Sequence, residues 1–167
     1  MARYAGAAWH GPVPNQGGPR GTATNRIVVH IMEGSIESAD AWFHNPQAQV
    51  SAHFGVAKDG RVFQWVDTSM TAWAQAAYNS TSVSIEHEGY AGTPLTPVQL
   101  ARTLLLQEWI LQVHASIPRQ FSMNPRRNGI IGHGQLGYSG GNHPGCPGMP
   151  ILRQMAAAYR PAGWMMR

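Results

Sequence analysis

The segment QVSAHFGVAKDGRVFQWVD, residues 49–67, constrains the fold most. Two β-rich runs flank Lys58, Asp59 and Gly60, a spacing that predicts a tight hairpin. On either side of it, strand patterns alternate with helix patterns. RIVVHIMEG is a β-branched run closed by Gly34, with Val28, His30 and Met32 on one face. SIESADAWFHNP reads as a short helix, with Ser35 as its cap and Pro46 just beyond its end. TSVSIEHEG alternates, turning Val83, Ile85 and His87 one way and Ser84, Glu86 and Glu88 the other. LTPVQLARTLLLQEWILQVHASIP predicts a long helix, capped by Thr96, with Pro97 at its first position and Pro118 ending it. Leu106, Trp109 or Ile110, Val113 and Ile117 recur along it at helical spacing. NGIIGHG reads as a last buried strand and MPILRQMAAAYRP as a terminal helix. Interleaving alone would predict a parallel sheet, but the hairpin demands an antiparallel pair. The expectation is therefore an α/β fold, a single domain whose mixed central β-sheet is flanked by helices, the long helix covering one face.

A chain of 167 residues with 43% hydrophobic content has the size and the core of one domain. No internal repeat interrupts it. The opening GPVPNQGGPRGTATN is rich in turn residues, so residues 1–25 are expected to form an irregular arm before the folded core at 26–158. Charged residues are only 12% of the chain while Gly (19) and Pro (12) are plentiful, which favours a loop-rich domain over a helical bundle. The net charge is +4, but apart from Arg126 and Arg127 the basic residues are scattered, so no nucleic-acid stripe is expected. The mild basicity suits a plain surface or attraction to an anionic polymer such as a bacterial cell wall. The N-terminus lacks the apolar segment of a signal peptide, and no run reaches membrane-spanning length, so neither feature is expected. The single cysteine, Cys146, has no partner for an internal disulfide and says nothing about redox compartment.

Eight histidines stand against eight acidic residues. His30 lies on the first strand, His53 on the hairpin, and His133 follows the last strand. A catalytic zinc site takes three protein ligands and leaves a fourth position for water. His30, His133 and Cys146 would supply two imidazoles and a thiolate, with Cys146 held in the proline-limited turn PGCPG. The alternatives are an inert buried thiol and histidines that merely hydrogen-bond.

These residues resemble the zinc-dependent N-acetylmuramoyl-L-alanine amidases, a family that includes phage endolysins, cell-wall amidases and peptidoglycan recognition proteins. The resemblance runs from RIVVHIME to CPGMP, with VVH, NPQAQVSAHFGVAKDGRVFQWV, AW followed by NSTSVSIEHEG, IIGHG and CPG in the family's order. It implies one Zn2+ per chain on His30, His133 and Cys146, with Glu86 as proton acceptor or orienter of the attacking water. The implied reaction is hydrolysis of the amide joining N-acetylmuramic acid to L-alanine in bacterial peptidoglycan, by a monomer. It further implies a phage lysin or its catalytic module, made in the host cytoplasm and reaching the wall by holin-type release. Two positions depart from the pattern. Ala74 follows Trp73 where many members have His, and Pro144 stands where many have Lys. His143, one residue further back, is the candidate to stabilise the oxyanion in its place. Trp73, Tyr78, Asn79 and Tyr138 are candidates to line a substrate groove, although Trp73 and Tyr78 suit ordinary core equally well. His53 either supports the site or simply packs. The rival functions are a non-catalytic peptidoglycan-binding module of the same fold and a cysteine peptidase using Cys146 with His133 or His143.

Overall fold

In the computed structural model, which describes residues 2–159, the β-rich runs gather into one sheet. The elements in chain order are β1 (Ala8–Trp9), β2 (Gln16–Pro19), β3 (Arg26–Val29), α1 (Ile36–His44), β4 (Phe54–Val56), β5 (Val62–Gln64), β6 (Met70–Ala72), β7 (Ser82–His87), α2 (Pro97–Val113), β8 (Gly129–Gly132) and α3 (Met149–Ala158). The main sheet runs β1-β5-β4-β7-β3-β8, and β2 pairs with β6 in a separate ribbon. Among the described residues, the β4–β5 hairpin is the one antiparallel pair of the main sheet, and its other pairs are parallel. The fold is a single α/β domain with a mixed central sheet, as the interleaved patterns and the hairpin require.

Within residues 2–25, two short strands interrupt the irregular arm expected from its Gly and Pro content. β1 lies parallel to β5, and β2 pairs antiparallel with β6. Both strands cover edges whose backbone groups would otherwise face solvent, an advantage no local pattern reveals. The long helix also stops earlier than its apolar spacing suggests. It ends at Val113, and Ile117 reaches the core from the turn beyond. Pro118 bars residue 117 from helical geometry, and His114 Nε2 meets the Thr68 hydroxyl at 2.9 Å. The N-terminal end of that helix is as expected, with Thr96 and Gln99 forming a capping box. Ser35 likewise caps α1 by accepting from Ser38 N. Of the expected terminal helix, Arg160 and Pro161 lie outside the described residues. Among the described residues no helix is long and apolar enough to cross a membrane.

The alternation along the strands decides where chemistry can sit. Ile27, Val29, Val83, Ile85 and Ile130 pack with Leu106 and Ile110 of α2 and Ile151 and Met155 of α3. Each such buried side chain contributes roughly 1.5–3 kcal/mol. On the opposite face Val28 and Ile131 pack with Leu136, while Ile36 and Phe43 of α1 gather around Trp65. His30, Glu86 and His133 share that second face by parity, at the carboxyl ends of three adjacent parallel strands.

Candidate metal centre

Strand register builds the site. Val29 pairs with Ile85 on one side and with Gly132 on the other, so the next residues, His30, Glu86 and His133, emerge side by side. The crevice outside the carboxyl ends of parallel strands is where open α/β sheets bind ligands. Here it is a cleft of about 720 Å³, and its walls include His30, Glu86, His133, His143 and Cys146.

One ligand-type atom from each of His30, His133 and Cys146 lies within 4.8 Å of the others. The His30 and His133 rings are 4.3 Å apart between centroids. His133 Nε2 donates to the Gly140 carbonyl at 2.8 Å, which fixes the tautomer and leaves Nδ1 as the free donor nitrogen. His30 Nδ1 faces Glu86 Oε1 at 3.7 Å, while its Nε2 is buried without a partner. The Cys146 sulfur accepts the Ile31 N–H at 3.4 Å. Its loop is pinned to the end of β8 by Gly134 N donating to Cys146 O at 2.7 Å. A Cβ on Gly134 would come within 2.9 Å of three carbonyl oxygens of that loop, so only glycine allows the approach.

The protonation states fit a cation. Burial, reinforced by neighbouring histidines, holds His30 well below its ordinary range, and burial also lowers His133, so both imidazoles are neutral donors near pH 7. Burial pushes the Glu86 carboxyl up to about 8, its side chain being only 15% exposed. The Cys146 thiol is pushed up to about 12 by burial and then by the charge of Glu86. Among the described residues no Lys or Arg lines the cleft to hold these two acids ionised. A divalent ion among two imidazoles and a sulfur supplies that missing charge, and the donor set is one that zinc takes. The same thiol is poorly suited to be a nucleophile, since a catalytic cysteine needs its pKa lowered rather than raised.

The other expected site residues divide. His143 lines the cleft, its ring stacked at 4.8 Å on that of His133. Trp73 also lines it, 37% exposed. Tyr78 does not: it packs beside Val28, Ile131 and Leu136, with the Arg26 guanidinium over its ring. Asn79 turns its side chain inward, where Oδ1 accepts from Ala74 N at 3.0 Å and Gln75 N at 2.7 Å. Tyr138, 90% exposed, stands outside the cleft walls. For these three, placement near the site in sequence did not translate into a wall position; they sit in 3-10 turns at 76–81 and 138–140. His53 is fully buried and packs through Ser84, its Nδ1 lying 2.9 Å from that hydroxyl. Sequence reasoning missed Trp42, a 53% exposed cleft residue on α1. A large aromatic on the outward face of an otherwise polar helix was the available signal for Trp42.

A family model described as N-acetylmuramoyl-L-alanine amidase matches residues 20–149. N-acetylmuramoyl-L-alanine amidase A of Achromobacter lyticus is 35% identical over 89 residues, a match covering 53% of this chain and 50% of the relative, so the chain spans about half that relative's length. Among solved structures, a selenomethionine derivative of AmpD superposes with a TM-score of 0.70 at 19% identity, covering 95% of this chain and 97% of AmpD. The endolysin LysCS, an N-acetylmuramoyl-L-alanine amidase from Clostridium intestinale, gives 0.60 at 16% identity over 94% of this chain and 91% of its own. The Drosophila peptidoglycan recognition protein SD gives 0.59 at 14% identity, over 96% and 98%. At these identities the structural likenesses establish the shared fold.

Proposed function

The chain belongs to the N-acetylmuramoyl-L-alanine amidase family, and from that premise we propose that it is a zinc-dependent hydrolase cutting the amide between N-acetylmuramic acid and L-alanine in peptidoglycan. The observation that carries the reading is the strand register that sets His30, Glu86 and His133 side by side, with Cys146 closing the donor set. His30, His133 and Cys146 hold the ion. When bound, zinc supplies a Lewis acid that polarises the scissile carbonyl and acidifies a water.

The chain's own residues do the rest. Glu86, mostly buried and 3.7 Å from His30 Nδ1, is the proton carrier: it takes a proton from the attacking water and returns it to the departing amine. His143, exposed at the rim beside His133, is positioned to donate to the developing oxyanion, in the absence of a lysine at Pro144. Trp42 and Trp73 offer apolar faces to the sugar and peptide. The catalytic unit takes in β1 and β2 as well as residues 26–158, and the chain acts as a monomeric lysin module of phage origin that meets the wall after release from the cytoplasm. A non-catalytic binding module would have no use for Cys146 placed against two neutral imidazoles.

Mass spectrometry of digested peptidoglycan tests the bond: stem peptides with a free L-alanine amino group are expected, and cleavage within the glycan or between amino acids would refute the assignment. Chelation should abolish wall lysis and added zinc restore it. Activity that survives chelation but is lost on thiol alkylation would return the cysteine peptidase.

A further inference from the structure

The cleft holds a second carboxylate, one that the metal and the proton transfer do not use. Glu33 lines the cleft and is exposed there, three residues beyond His30 in the chain. Among the described residues the Lys, Arg, Asp and Glu side chains of the lining are Glu33 and Glu86 alone, although the whole chain carries a net charge of +4. Glu33 Oε1 accepts from Ala91 N at 3.0 Å, and among the described residues its carboxylate meets no cationic side chain.

The backbone is built to keep that carboxylate at the wall. Glu33 takes a left-handed φ of 52°, which a residue with a Cβ rarely adopts. Both neighbours are locked: Met32 N donates to His87 O at 2.9 Å, and Gly34 and Gly89 each donate to the other's carbonyl at 3.0 Å. Ala91, which tethers the carboxylate, lines the cleft as well. Strain of this kind persists only where the surroundings over-determine it, and it gathers at ligand-binding surfaces.

We propose that Glu33 reads the peptide arm of the substrate, its carboxylate pairing with a free primary amine on the stem peptide. The proposal rests on the amidase reading, which sets the scissile amide at His30, His133 and Cys146. From His30 to Glu33 the chain spans at most about 11 Å at 3.3–3.6 Å per residue, the length of about three residues of an extended peptide. The carboxylate therefore lies within reach of a side chain near the third residue of the stem. A free ammonium there gains a charge-assisted hydrogen bond, whereas the same nitrogen acylated in a cross-link has lost its charge. Stems not yet cross-linked are accordingly the better substrates.

The test measures kcat/KM of the full, zinc-loaded chain on two muramoyl tripeptides that differ only at the third residue, lysine in one and Nε-acetyllysine in the other. Wild type should favour the lysine peptide about fivefold, as for a well-placed exposed ion pair. Glu33→Gln keeps an acceptor for Ala91 N and removes the charge, so the ratio between the two peptides should fall to about one. Glu33→Gly, whose backbone takes φ 52° freely, should give the same ratio and guards against an effect peculiar to the glutamine side chain. Wild type with no preference overturns the proposal and leaves the amidase reading standing. So does a preference that survives in Glu33→Gln with both peptides losing equally, which would assign the carboxylate to the sugar. Failure of wild type to cut either peptide between the lactyl group and alanine overturns the amidase reading and the proposal together.

Discussion

His30 and Glu86 leave the sheet from neighbouring strands, β3 and β7, whereas His133, His143 and Cys146 ride on the glycine-rich stretch that follows β8. On the strand side, geometry comes from register, and the backbone ladder continues past the regular strand with His30 N donating to Ile85 O at 2.9 Å. His87, on the opposite face of β7, adds a brace: its Nδ1 donates to the His30 carbonyl at 2.9 Å and its Nε2 accepts from the Thr103 hydroxyl of α2 at 2.9 Å. On the loop side, no sheet fixes Cys146. Close backbone approach at Gly134 and the His133–Gly140 bond do so instead. The difference teaches that one half of the site sets protonation and is tied to global stability, while the other sets ligand distance and can shift by itself.

Perturbing each half should therefore give different readouts. The largest effect is expected at Glu86. Glu86→Gln preserves shape and hydrogen bonding but carries no proton, so turnover on purified peptidoglycan should fall about 10²–10⁴-fold with zinc still near one per chain. Turnover within tenfold of wild type would take Glu86 out of the reaction.

Next comes the pH dependence of the strand half. Burial holds His87 down at about 4 against an ordinary value of 6.5. The unfolded chain binds the proton first, so stability from neutral His87 is complete above pH 6.5 and is lost as pH falls toward 4. The span corresponds to about 3 kcal/mol on the scale of 1.36 kcal/mol per pH unit. Urea unfolding of metal-free protein between pH 7.5 and 4.5 should show this decline, shallower in His87→Gln. His30, His53 and His133, also depressed by burial, contribute the same sign, while Glu86, raised from 4.5 to about 8, acts with the opposite sign across this window in both proteins, so the difference between their slopes belongs to His87. An identical slope in the two proteins would remove His87 from the brace.

The smallest effect is expected in the loop half. Gly134→Ala forces a Cβ against the carbonyl oxygens of His143, Pro144 and Cys146 at 2.8–2.9 Å, and the loop must move. Relaxation of this kind costs roughly 1–3 kcal/mol, so zinc affinity should fall about tenfold while the metal-free pH slope stays as in wild type. Unaltered affinity would show that the loop has slack, erasing the contrast between the halves.

Much of this architecture was legible along the chain. Ser35 and Thr96 announced two helix starts, and Lys58-Asp59-Gly60 announced the hairpin, because caps and tight turns are made by residues adjacent in sequence. Period-two alternation separated Ile85 from Glu86. It left open whether Glu86 faced water or a cleft, since a strand's outer face is buried only if something packs over it. The strands at the N-terminus were hidden because pieces of two and four residues have value only as partners for the edges of β5 and β6.

The sequence by itself therefore determined the mixed α/β fold and the strands and turn that carry His30, His133 and Cys146, both consequences of local periodicity and turn chemistry. Only the tertiary structure decided which polar groups lose their water. It sank Glu86 beside His30, buried Gln75, turned Asn79 inward, packed Tyr78 under Arg26 and left Tyr138 in solvent. Desolvation depends on what the rest of the chain lays over a residue, and that is set by pairings between strands far apart in sequence.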